Sequence, residues 1–107
     1  MTAPLTPPLA LAYLRELSVD VRAAVVLDPR GRTLAGEDRI AAPARELLAA
    51  GVGQRAAEGG VLLAAPTADG GAIAVLAGEL ALVPLLEHDL AATAMALETA
   101  SAERSET

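Results

Sequence analysis

Few side chains in this chain could carry out chemistry, and their spacing narrows what that chemistry could be. His88 is the single histidine among 107 residues, and there is no cysteine. A thiol nucleophile, a disulfide and a thiolate metal site are therefore excluded. A histidine triad or a metal centre would have to draw its other members from Asp and Glu. His88 stands beside Asp89 at the expected start of a helix, where polar residues serve the helix end. The acidic clusters Glu37–Asp38 and Glu87/Asp89 also flank expected helix starts. Negative charge there complements the helix dipole, a simpler role than paired acid/base catalysis. Asp28 opens the run Asp28-Pro29-Arg30-Gly31, which has the residue types of a type I turn with Gly31 left-handed. Gly51-Val52-Gly53-Gln54-Arg55-Ala56 has the G-x-G-x-x-A spacing of a dinucleotide loop. Such a loop must follow a strand and open a helix. Here the residues from Ala44 to Ala50 read as helix, so the glycines are expected to end it. No catalytic, cofactor-binding or metal-binding residue is assigned, and no cofactor is expected.

Composition sets the frame. A hydrophobic fraction of 53% excludes general disorder, and 107 residues suffice for one core. With no Phe, no Trp and only Tyr13, that core must be built from Ala, Leu, Val and Ile. Aromatic rings bury the most area per residue, so a core lacking them is lean, and small lean domains find further burial in a second subunit. The net charge of −6 argues against nucleic acid, which needs a basic face. No apolar run approaches the ~20 residues of a membrane span, and the first residues lack a basic leader pattern. The expectation is a soluble cytoplasmic protein without membrane insertion.

The elements that must position any site follow from periodicity. Pro8 opens a helix over residues 8–18, with Leu11, Leu14 and Leu17 at helical spacing. Residues 22–28 are a continuously apolar strand, and residues 32–36 return from the turn at 28–31. Pro43 marks a second helix with Ile40, Ala44, Leu47, Leu48 and Val52 along one side. It is ended by Gly51 and Gly53, or one turn later by Gly59-Gly60. Three apolar runs, Val61–Ala65, Ala72–Ala77 and Leu80–Leu86, read as strands, and Asp89 caps a last helix. Pro84 conflicts with a central strand, because it lacks a ladder donor. The fold class is α/β, in the order α-β-β-α-β-β-β-α, with a five-stranded antiparallel sheet and helices on both faces. A single domain spans residues 8–100, with frayed tails over 1–7 and 101–107.

This order resembles the Roadblock/dynein light-chain family, with its profilin-like sandwich. The likeness is carried by Ala23-Ala24-Val25-Val26-Leu27-Asp28 with the turn ending at Gly31, by Arg45-Glu46-Leu47-Leu48, and by Gly78-Glu79-Leu80-Ala81-Leu82-Val83 before a closing helix. The resemblance implies a homodimer or heterodimer in which the third strand pairs across subunits and the two middle helices lie side by side. It also implies a scaffold or regulator of a Ras-like GTPase, many bacterial members acting in that way. Carried onto this sequence, it makes Val61, Leu62, Leu63 and Ala65 the dimer edge, and Ile40, Arg45, Leu47, Leu48 and Val52 the helical platform. An uncovered apolar edge invites pairing, and a two-fold axis would satisfy it. Arg30, Arg32, Arg39, Arg45 and Arg55 are each a basic group that could reach a partner's phosphates. Nothing in the sequence singles one of them out from surface solvation. The alternative function is a small-molecule sensor module of the PAS or GAF kind, whose pocket needs aromatic groups that this chain nearly lacks.

Overall fold

Proline and glycine punctuation fixes the element boundaries. The computed structural model describes residues 6–97, apart from Val52, Glu58 and the side chain of Leu17. Helix α1 (Pro7–Leu17) carries proline in its first turn, where no amide donor is missed. Strand β1 (Val21–Leu27) and strand β2 (Thr33–Gly36) form the first hairpin. Its turn closes with the Gly31 amide donating to the Asp28 carbonyl at 2.9 Å, and Gly31 sits at φ +84°, the left-handed backbone expected of it. A short 3₁₀ turn over Asp38–Ile40 leads into α2 (Ala41–Ala49). Then come β3 (Gln54–Ala57), β4 (Gly60–Pro66), β5 (Ala72–Gly78) and α3 (Val83–Ala96).

The five strands form one antiparallel sheet in the order β2-β1-β5-β4-β3. Alternation along the strands separates two cores. Ala23, Val25 and Leu27 of β1 point with Leu62, Ala64 and Ala74 toward α2, meeting Ile40, Ala44 and Leu47. Ala24, Val26, Leu63, Ile73 and Val75 point the other way, under Leu14 of α1 and Leu86 and Leu90 of α3. Both faces of the central strands are thus buried, which is why they read as unbroken apolar runs. Each fully buried Leu or Val contributes about 1.5–3 kcal/mol by its removal from water. Tyr13, the lone aromatic, lies half-exposed outside both cores.

The expected element order holds, but one strand was missed and one expected strand is absent, and the errors offset each other. Residues 54–57, expected as a possible extension of α2, are strand β3. Residues 80–86, expected as the fifth strand, are a loop followed by the first turn of α3. Pro84 occupies that first turn, so the misfit it posed for a central strand disappears. Asp89 is accordingly inside α3 rather than its cap; the N-cap is Leu82, with no side-chain capping bond. Pro7, expected in the tail over 1–7, is already helical, and residues 1–5 lie outside the described residues. The expected tail at 101–107 and the domain end at residue 100 lie outside the described residues.

Candidate interaction surface

Strand β3 is one of the two edges of the sheet, β2 being the other. It pairs only with β4 among the described residues, Gln54 opposite Leu63, Arg55 opposite Leu62, Ala56 opposite Val61 and Ala57 opposite Gly60. The Ala64 amide donates to the Gly53 carbonyl at 3.0 Å, marking Gly53–Ala64 as a hydrogen-bonded position. Antiparallel ladders alternate, so Arg55 and Ala57 turn their backbone groups inward to β4, while Gln54 and Ala56 turn theirs outward. Two N–H and two C=O groups therefore face away from the sheet along a strand that is exposed over Gln54, Arg55 and Ala56.

Among the described residues α2 is the one α-helix on its face of the sheet, and a groove runs along each side of it. One, of about 250 Å³, lies toward β3 and is lined by Ile40, Pro43, Arg55, Ala57, Leu62 and Leu76. The other, of about 300 Å³, lies toward the β1–β2 turn and is lined in part by Leu27, Asp28, Arg45, Leu48 and Pro66. Glu46 faces the first groove, where its carboxylate stands 3.9 Å from the Arg55 guanidinium. Arg45 faces the second and donates to the Gly31 carbonyl at 2.7 Å.

The residues singled out from the sequence are distributed differently from their expected roles. Ile40, Leu47 and Leu62 are buried between α2 and the sheet, as core. Leu63 is buried on the opposite face, with Val61 and Ala65 packed beside it. Val61 to Ala65 belong to β4, which is paired on both sides, by β3 and by β5, so they are no free edge. Arg45 and Leu48 line the groove away from the β3 edge. Val52 lies outside the described residues. The groups that do meet at the edge are the backbone of Gln54 and Ala56 and the side chains of Pro43, Glu46 and Arg55. The missed signal was Gly59, at φ +75° in the two-residue turn between Ala57 and Gly60, a tight hairpin in place of a helix end.

The acidic groups expected to be structural are occupied with backbone. Asp28 is buried, with its Oδ1 accepting from the amides of Arg30 and Arg32 at 2.9 Å each and its Oδ2 from Arg32 Nε at 2.9 Å. Burial would raise its pKa, but the Arg32 and Arg30 amides and the Arg32 guanidinium outweigh that and hold it below the usual value. Glu37 accepts from the Ala24 amide at 2.7 Å and from Arg15 at 3.0 Å, and that amide bond chiefly holds its pKa down. Asp20 is held down chiefly by the Leu80 amide, 2.9 Å away. No group of three or more His, Asp or Glu side chains among the described residues could hold a metal ion. No helix among them is long and apolar enough to cross a membrane.

This architecture is similar to that of solved domains. A structure of the Roadblock/LC7 domain from Streptomyces avermitilis superposes with a TM-score of 0.68 at 20% identity, covering 90% of this chain and 94% of that one. The chain has the Roadblock/LC7 fold. A second structure of a Roadblock/LC7 domain, also from that Streptomyces, gives a TM-score of 0.67 at 22% identity, over 79% of this chain and 91% of that one. No protein-family model matches the sequence, and no curated protein matches it. Within this Roadblock fold, the third strand on which the resemblance places subunit pairing is β3, not Val61 to Ala65.

Proposed function

We propose that this protein is a non-catalytic homodimeric scaffold that binds and regulates a small Ras-like GTPase. The observation that carries the dimer is the β3 edge, one of the two edges of the sheet, where four outward backbone hydrogen-bonding groups lie beside the grooved α2 face. Two copies joined there about a two-fold axis would make one continuous sheet and bring the two α2 helices onto the same face. The lean aliphatic core supports the same conclusion, because a second subunit adds the burial that aromatic side chains would otherwise supply. The GTPase rests on the Roadblock likeness in fold and element order.

Light scattering across a dilution series tests the first part. The expected mass is twice 10.8 kDa at tens of micromolar; a monomer there removes the dimer reading. Mixing with a Ras-like GTPase loaded with GDP or a GTP analogue tests the second. Nucleotide-dependent co-elution supports it, and no binding in either state overturns it.

A further inference from the structure

Resting on the proposed dimer, the geometry assigns its register: Arg55 stands opposite its own copy on the two-fold axis, neutralised by Glu46 from each α2 helix. The outward backbone groups decide this. Antiparallel pairing needs outward-facing residues opposite one another, so any register that sets Gln54 or Ala56 against Arg55 is excluded. Of the symmetric registers left, those centred on Gln54, Arg55 or Ala56 keep the axis at an outward-facing residue of β3 or between the two. Centring on Gln54 sets Ala56 against residue 52, before the start of β3. Centring on Ala56 sets Gln54 against residue 58, beyond the end of β3. Centring on Arg55 pairs Gln54 with the partner's Ala56 and Ala56 with the partner's Gln54. All outward groups of the four-residue strand are then satisfied within β3 itself.

That register sets two guanidinium groups side by side, since Arg55 and the partner's Arg55 form a close, non-hydrogen-bonded pair. Like charges directly opposite one another oppose pairing. The chain supplies the remedy on the same face. Arg55 shares the α2 side of the sheet with Leu62, its cross-strand neighbour, and Glu46 already stands 3.9 Å from it. In a single chain this contact is weak, because the two side chains are 52% and 71% exposed. Between two copies it becomes an alternating set of two carboxylates and two guanidinium groups over the axis. A sister strand with another residue at this position, or another helix without Glu46, would not complete the set. The pair is therefore the element that selects a second copy of this chain as partner.

The absence of cysteine makes the register directly readable, because each engineered cysteine is the sole thiol. In the Arg55-centred register the Cα atoms at position 55 lie about 4.5 Å apart, within the span of a disulfide. Arg55→Cys is expected to cross-link with itself on mild oxidation. Gln54→Cys and Ala56→Cys are expected to cross-link only when mixed with each other. Without cysteine, Glu46→Gln is expected to weaken dimerisation roughly three- to tenfold, with Arg55→Gln added to it restoring most of the loss. Self-linking of Gln54→Cys or Ala56→Cys in place of Arg55→Cys would overturn the register while leaving the dimer. A dimeric mass with no cross-link at any of the three positions would place the interface elsewhere. A monomeric wild type would remove the reading beneath the proposal, and the proposal with it.

Discussion

Glu37 shows how one side chain joins elements that are distant in sequence. It takes a hydrogen bond from the Ala24 amide and an ion pair from Arg15 of α1, binding the end of β2 to β1 and to the helix above. Its pKa, like those of Asp28 and Asp20, is lowered in the folded chain. A depressed carboxylate pKa contributes stability that is fully present above the unfolded value of about 4 and is lost as pH falls through the folded value. Stability is therefore expected to be level from neutrality down to about pH 5 and to fall steadily below about pH 4. Glu37→Gln should lower the neutral-pH stability and flatten that acid-side slope, as read by urea unfolding at a series of pH values. An unchanged slope would show that Glu37 is equally protonated in both states. Gly36 is the neighbouring constraint: its φ is +92°, and a Cβ there would collide with the Ala24 carbonyl oxygen. Gly36→Ala combines left-handed strain with a backbone collision and is expected to cost at least about 2 kcal/mol. Thermal unfolding close to wild type would contradict it.

At the level of elements, what was legible depended on how many faces of each element are buried. Strands β1, β4 and β5 read plainly, because burial on both sides left an unbroken apolar run in each. The Asp28–Gly31 turn was equally legible, since its geometry is dictated by residue type. Strand β3 was not. Its Gln54 and Arg55 face solvent, it spans four residues, and a G-x-G spacing just before it offered a helix end instead. The start of α3 was hidden for the opposite reason: Leu80, Leu82 and Leu85 are exposed yet apolar, so the stretch imitated a strand. Periodicity also located the middle helix without telling which of its apolar residues serve the fold. Ile40 and Leu47 proved to be core, and the polar Glu46 faces the edge. Pro84 distinguishes the two readings of its segment. In the first turn of a helix its ring costs nothing and replaces no bonded donor, so Pro84→Ala should change stability by no more than about 0.5 kcal/mol. A gain of several kcal/mol would restore the strand reading.

The whole molecule is a sheet with a separate aliphatic core on each face, and the strands between them act as a partition. Leu47 lies in the α2 core and Ile73 in the α1/α3 core. Leu47→Ala is expected to cost about 2–5 kcal/mol and Ile73→Val about 0.5–1.5 kcal/mol. Their combination should be additive to within about 0.5 kcal/mol, measured by urea unfolding at one protein concentration. A larger coupling would mean that the two cores relax together through the sheet.

The strand order carries a last consequence, for synthesis. β1 lies between β2 and β5, and its register with β5 joins Val21 to Ala77 and Leu27 to Ala72, across some fifty residues of chain. The nascent N-terminal part can close its first hairpin on leaving the ribosome, but one side of β1 stays bare until β5 emerges. An apolar strand exposed in this way can pair with the same segment of a neighbouring nascent chain. Two ribosomes translating one message thus bring unfinished copies together before either sheet is complete, and the time needed to synthesise residues 28–78 sets how long that hazard lasts.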